Sequence, residues 1–288
     1  MLRLAVVCAL LSGCNVVFGV DREAGPAVCG PYAVVEQLAF DASLANVREV
    51  SFDADGTQGM AWAEYKGTMG PNALTFINGV WTRDEPRALG LENLGGARLQ
   101  PDGRHAFGWT GPSIDEYEFA DGVGWYGLTG VIDVGTVDDK VAGNAIALKV
   151  GTGVLRLLVE TRYHATGGSQ IVIRSRLPTD PAWQDTHYLD ELDEATPQIA
   201  PTVGLLTAMG DRLVYAATVG GDRVSHLYAT PKNTGPSFSP GVRIDIDGVD
   251  PDVALTDPWI NADCSDLWFN ADGAILHAVQ LAAPDAAQ

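Results

Sequence analysis

Cys14, Cys29, Cys264, five scattered histidines and an acidic run at Asp245–Asp252 are the residues of this chain whose types could do chemistry. A reachable thiol can act as a nucleophile or pair with another thiol. The run Asp245-Ile-Asp-Gly-Val-Asp-Pro-Asp252 puts four carboxylates into eight residues, hard oxygen donors of the kind calcium takes. It lacks the spacing of an EF-hand loop and has no distant bidentate Glu, so it reads as a solvated turn. His105, His164, His187, His226 and His277 never form a His-Glu-x-x-His pair, and a zinc site is not expected. No Gly-x-Ser-x-Gly elbow occurs, which leaves an α/β-hydrolase without support. No glycine-rich phosphate loop precedes a helix. Glycoside hydrolysis needs two carboxylates about 5–10 Å apart. With 37 acidic residues such a pair arises somewhere by number alone. The expected catalytic, cofactor-binding and metal residues are therefore none, and no cofactor is implied.

Charge bounds the partners. The 288 residues carry 18 basic against 37 acidic side chains, a formal net charge of −19. Such a surface repels nucleic acid, and no basic patch is visible to overcome that. A hydrophobic content of 46% supports a substantial core rather than disorder. At the N-terminus Arg3 precedes the apolar run Leu4–Leu11, and the run closes on Leu11-Ser-Gly-Cys14. The run is too short to span a bilayer, which takes about 20 residues, but fits a signal-peptide core of roughly 7–15. This ending resembles the lipobox of bacterial lipoproteins. The resemblance implies a signal peptide over residues 1–13, cleavage before Cys14 and diacylglycerol on its sulfur. Residues 14–30 then form a tether, and the protein sits in the cell envelope, anchored to the outer membrane facing periplasm or cell surface. A plain secretory signal that leaves Cys14 a free thiol is the alternative. With Cys8 removed and Cys14 acylated, Cys29 and Cys264 remain, and an exported compartment permits a disulfide between them. Two separate core cysteines are the rival reading.

Past Cys29 the chain repeats, and the repeat sets the fold. Each unit has a polar turn, an aromatic-bearing strand, a gap and a second strand. The strand pairs are Met60–Glu64 with Ala73–Ile77, His105–Trp109 with Tyr117–Phe119, Leu155–Thr161 with Gln170–Arg174, Leu213–Ala217 with Ser225–Ala229, and Leu267–Phe269 with Ala274–Ala278. Asp55 to Asp102 is 47 residues, Asp211 to Asp263 is 52, and Asp102 to Asp211 is 109. Periods of roughly 40–50 with several short strands per unit predict an all-β propeller of five to six four-stranded blades over residues 31–282, with a tail at 283–288. Five units can be counted, and a sixth has room in Gly122–Lys149. Val34–Val50 has helix-like apolar spacing but reads as strand plus loop. In Leu213–Ala217 both alternating faces are apolar, as stacking between two neighbours requires.

The last unit carries a second resemblance. Leu227-Tyr-Ala-Thr230, Phe238-Ser-Pro240, Asp257-Pro-Trp-Ile-Asn-Ala-Asp-Cys264 and Leu267-Trp-Phe-Asn270 are similar to TolB-like β-propeller repeats, with partial matches at Pro101-Asp-Gly103 and Asp53–Trp62. Cys264 stands where those repeats usually have Gly. Ser51–Thr57 with Trp62 also resembles the Asp-box turn of sialidase-type propellers, in one copy and with its Gly one residue out of register. The reading is a lipid-anchored, non-enzymatic binding or scaffold protein of the envelope. Its partners are the membrane through the lipid, and an envelope protein or polysaccharide. Trp81, Trp125 and Tyr126 are candidate contact anchors, although core packing suits each one singly. A propeller hydrolase acting on envelope or extracellular carbohydrate or peptide is the alternative. His226 and His277 fall on corresponding repeats and read as structural.

Overall fold

A strand buried on both faces needs a packed neighbour on each side. Leu213–Ala217 is buried at all five positions, and His226–Ala229 at all four. The computed structural model describes residues 29–110, 113–128, 139–150, 153–163, 169–180, 182–188, 202–207, 212–218, 224–230, 238, 241–261 and 263–281. Within them each sheet is covered by the next, in a closed ring of five. The first strand, β1 (Tyr32–Gln37), leaves at once for the last sheet. Blade 1 is β2 (Leu44–Phe52), β3 (Gln58–Tyr65), β4 (Thr68–Ile77) and β5 (Val80–Arg83). Blade 2 is β6 (Gly96–Leu99), β7 (His105–Thr110), β8 (Ser113–Ala120) and β9 (Gly124–Gly127). Blade 3 is β10 (Asp139–Val150), β11 (Gly153–Tyr163), β12 (Ser169–Arg176) and β13 (Gln184–Tyr188). Blade 4 is β14 (Thr202–Leu206), β15 (Leu213–Ala217), β16 (His226–Ala229) and β17 (Val242–Arg243). Blade 5 holds β18 (Ile246–Asp247), β19 (Leu255–Ile260), β20 (Asp266–Ala271) and β21 (Ala274–Gln280), with β1 between β18 and β21.

The protein is a five-bladed β-propeller, and each strand pair expected from the repeat lies in the middle two strands of one blade. The room for a sixth blade is taken otherwise. Described residues of Gly122–Lys149 supply β9, the outer strand of blade 2, and most of β10, the inner strand of blade 3. Val34–Val50 is strand, loop and strand, split between blades 5 and 1. The last sheet has five strands rather than four, because β18 adds parallel to β1 through Tyr32↔Ile246 and Ala33↔Asp247.

Closure uses both ends of the described chain. β1 pairs antiparallel with β21 from Tyr32↔Gln280 to Gln37↔Leu276. Cys29 is joined to Cys264 in a disulfide with Cα atoms 5.4 Å apart, and the Tyr32 hydroxyl donates to the Cys264 carbonyl at 2.8 Å. The largest apolar cluster sits at this seam, where Cys29, Tyr32, Phe52, Trp81, Trp259, Leu267 and Phe269 pack together. Three smaller clusters fill the other junctions.

Around the axis the inner strands are stitched by polar side chains. Ser51 Oγ accepts from Leu99 N at 2.8 Å, between blades 1 and 2. Gln100 Oε1 accepts from Ala145 N at 2.8 Å, between blades 2 and 3. The Asn144 amide both donates to Leu206 O at 2.7 Å and accepts from Leu206 N at 2.8 Å, between blades 3 and 4. Between blades 4 and 5 the bond comes from outside the inner strand, with Ser225 Oγ, just ahead of β16, donating to Leu255 O at 2.7 Å. The strands approach closely here, and a Cβ on Gly143 would collide with the Gly204 carbonyl. Buried Arg98 on β6 reaches past blade 1 to donate to Pro258 O on β19 at 3.3 Å, so its side chain crosses the axis. Burial holds that guanidinium below its ordinary pKa, with Glu49 and Asp257 opposing the shift. Inside blade 3, buried Glu160 accepts from Arg162, Arg174 and Lys140 at 2.6, 2.9 and 3.2 Å. Burial pushes the Lys140 ammonium down to about 8 against the pull of Glu160.

Asn144→Ala leaves the Leu206 amide and carbonyl buried without partners, each costing about 1–3 kcal/mol. Urea denaturation should show a loss of about 2–4 kcal/mol, and an unmoved midpoint would contradict the stitch. Non-reducing peptide mapping should recover Cys29 and Cys264 in one linked species. Replacing both by Ser should lower stability by at most about 5–6 kcal/mol, the chain-entropy value for so long a loop. Free thiols in the native protein would contradict the bridge.

Candidate functional site

Inner strands of all five blades run the same way along the axis, so the hairpins that follow them gather at one end of the ring. Three of these turns share a backbone pattern. Asp53-Ala-Asp-Gly56, Gln100-Pro-Asp-Gly103 and Asn261-Ala-Asp-Cys264 each close with the fourth residue's N–H donating to the first residue's carbonyl, at 3.2, 2.9 and 3.3 Å. The fourth residue has φ of 65°, 67° and 66° in turn. Cys264 thus adopts the left-handed conformation that Gly holds in the other two, at a cost of roughly 1–2 kcal/mol. Cys264 keeps the same turn backbone and adds a covalent tie to Cys29, just ahead of β1. Side-chain oxygens rigidify the turns. Asp53 Oδ1 accepts from Thr57 N and Gln58 N at 2.9 and 3.1 Å, and Asp102 Oδ1 from Arg104 N and His105 N, both at 2.9 Å.

Two recesses open at this end. The first, of about 390 Å³, lies over the mouth of the axial channel and takes Gln100, Asn144, Leu206 and Ile260 from four different blades. Its ionisable groups are Asp102, His105 and Arg156. His105 Nδ1 lies 2.6 Å from Asp102 Oδ2. The hydrogen bond to Asp102 raises the imidazole pKa above its ordinary 6.5 against the effect of burial. Burial acts to raise Asp102, but hydrogen bonds from His105 and the turn amides outweigh it and hold the carboxyl well below the usual range. Arg156 is ion-paired with Glu116 at 2.7 Å, and Glu116 accepts a hydrogen bond from Arg176 at 2.8 Å.

The second recess, of about 400 Å³, follows the junction of blades 5 and 1 and continues outward into a further 190 Å³. A run of touching rings forms its wall. Phe76 meets Trp81 with centroids 5.0 Å apart, Trp81 meets Phe52 at 4.7 Å, Phe52 meets Trp268 at 5.1 Å, and Trp268 stacks on His277 at 4.8 Å and 9°. Phe52 and Trp81 are buried, Trp268 is half-buried, and Phe76 is 46% exposed. His277 is fixed between two carboxylates, Glu36 at 3.0 Å and Asp266 at 2.8 Å. Asp53, Asp55 and Asp263 complete the rim.

The residues singled out from sequence are only partly gathered here. Cys14 lies outside the described residues, as do Cys8, His164 and Asp211. Cys29 and Cys264 meet at the seam. Trp81 and Trp125 are buried in blade junctions, and Trp125 Nε1 donates to Arg87 O at 2.7 Å. Tyr126 is exposed, with its hydroxyl donating to Glu118 at 2.7 Å. The acidic run supplies β18 and exposed turns, and among the described residues no group of three or more His, Cys, Asp or Glu side chains is placed to hold a metal. His226 opens β16 and is buried, whereas His277 lies mid-strand in β21. Sequence reasoning missed Trp268, Phe76 and the Asp102–His105 pair. The aromatic content of the repeats was visible, but not which rings face a junction that opens to solvent.

No protein-family model matches the chain, and no characterised protein matches it significantly. Among solved structures it is similar to TolB from Acinetobacter baumannii, at 15% identity and a TM-score of 0.41 over 81% of this chain and 54% of that one. It is also similar to a Bacteroides fragilis protein described as a candidate 6-phosphogluconolactonase, at 15% identity and 0.41 over 69% and 55%. A third is the propeller domain of Myceliophteria thermophila Cps50 (Swd1), at 11% identity and 0.37 over 82% and 84%. The chain spans about half the length of the first two.

The electrostatics of the channel mouth give a signed test. His105 has its folded pKa raised, so its contribution to stability is complete below about 6.5 and is lost as pH rises through the folded value. In a proton-detected titration the His105 ring should titrate above 6.5, and in Asp102→Asn it should fall back towards that value. A titration unchanged by Asp102→Asn would contradict the pairing.

Proposed function

We propose that the protein is a lipid-anchored binding or scaffold component of the cell envelope, whose recognition face is the end of the propeller bearing the two recesses. The observation that carries this reading is a preformed, multi-blade concave surface on rigid hairpins. Recognition groups held on a fixed framework bind without a large ordering cost. Aromatic rings held at tilted angles against buried neighbours meet that requirement. The Leu-Ser-Gly-Cys14 motif supports the anchor, and the Cys29–Cys264 bridge suits an oxidising compartment. Fourteen residues lie between Cys14 and Cys29, a tether that lets the ring stand off the bilayer. The acidic surface keeps it from lying against anionic head groups.

A hydrolase acting on envelope carbohydrate or peptide remains the second reading, favoured by one feature, the Asp102–His105 pair in the channel-mouth recess. An imidazole oriented by a carboxylate is a common general acid–base device. His105→Ala separates the two, since it should abolish turnover in a hydrolase, whereas a scaffold that binds through the aromatic groove should retain its partner.

Cys14→Ser should move the protein from the membrane to the soluble fraction, and continued membrane association would contradict lipidation. In capture from envelope extract, a partner retained by the native protein should be lost with Asp55→Lys or Phe76→Ala. It should persist with Asp272→Asn, which alters a turn at the opposite end. Loss with Asp272→Asn alone would place recognition on the other face.

A further inference from the structure

The groove between blades 5 and 1 has a composition that selects a charge. Its lining carries Glu36, Asp53, Asp55, Asp263 and Asp266 and includes no Lys or Arg. Asp55 makes no hydrogen bond or ion pair among the described residues, and it is exposed beside the rings. Glu36 and Asp263 are likewise exposed at the rim. Trp268 and Phe76 present the accessible aromatic surface, and buried Phe52 and Trp81 hold them in place.

We propose that this groove binds an extended basic peptide segment, with Lys or Arg heads on the carboxylates and their stems over Phe76 and Trp268. The proposal rests on the reading of this end of the ring as the recognition face. A cation over an aromatic ring gains from the ring quadrupole, and a nearby carboxylate adds a charge-assisted hydrogen bond. The chain's net charge of −19 steers such a segment towards the protein and an anionic one away. A neutral glycan could lie on the same rings with its hydroxyls donating to Asp55, but it would gain nothing from the net charge or from a charge-assisted bond to that carboxylate. The observations favour the basic segment.

The test uses hexa-arginine amide as probe, with hexaglutamate and the neutral sugar chitohexaose as comparators. Binding to the full chain is followed by calorimetry and tryptophan fluorescence at two salt concentrations. Hexa-arginine should bind one-to-one and perturb tryptophan emission. Asp55→Asn with Asp263→Asn should weaken it by about fivefold to tenfold, the sum of two exposed ion pairs. Phe76→Ala should weaken it by about threefold, as expected for one cation–π contact. Asp272→Asn, a turn carboxylate at the far end, should have no effect. Equal weakening by Asp272→Asn would show attraction to net charge alone and overturn the proposal. Chitohexaose binding that depends on Phe76, with no hexa-arginine binding, would overturn it and leave the recognition face standing. If neither probe binds and envelope capture is also indifferent to Asp55→Lys, both the proposal and the recognition face fall.

Discussion

The amide ladder between β1 and β21 turns five sheets into a ring. Each blade has apolar residues on both faces, so a linear stack would leave two faces in water. Placing β1 between β21 and β18 lets the first described residues complete the last sheet. The blade 5–blade 1 junction then closes around Phe52, Trp81, Trp259 and Phe269. The disulfide, the Tyr32–Cys264 hydrogen bond and β18 all reinforce the same seam. A seam made of distant chain segments is slow to find in folding, because loop closure precedes any gain from contact. A covalent tie there limits the conformations open to the unfolded chain.

Curvature around the axis is built into the inner strands. Pairing shifts register between Ala45 and Ser51 in β2, between Ala142 and Ala145 in β10, between Thr202 and Leu205 in β14, and between Thr256 and Trp259 in β19. Asn46 and Glu49 carry positive φ at the first of these places and Asp257 at the last. Bulges bend a strand and turn side chains out of the regular alternation, and here they free Asn144 to reach the next blade. The channel is thereby closed by hydrogen-bonded polar groups, with Arg98 lying across it.

These devices explain what could be read in advance. The middle strands of the blades, such as Leu213–Ala217 and Leu267–Phe269, are rich in apolar and aromatic residues, so the repeat was legible, with five units countable and a sixth left open. Inner strands break alternation at their bulges. Outer strands are as short as Val242–Arg243, too brief to leave a pattern. β1 belongs to a sheet more than 200 residues away along the chain, and periodicity does not connect such segments. The turn at Cys264 looked irregular by residue type, yet its backbone follows Gly56 and Gly103. At the candidate site, Trp81 was visible but proved to be buried support. The accessible rings, Trp268 and Phe76, could be sorted from the rest only when the junction geometry was known.

A recognition surface on this scaffold inherits its rigidity from ring closure, because the aromatic groove lies on the seam itself. Native-state hydrogen exchange across a denaturant series tests that dependence most directly. The account predicts that the slowest amides of β1 and β21 exchange with the same opening free energy as those in the middle strands of blades 1 to 4, as one cooperative unit. Exchange of β1 through a separate, smaller opening, while the other four blades and the aromatic groove stay protected, would contradict it.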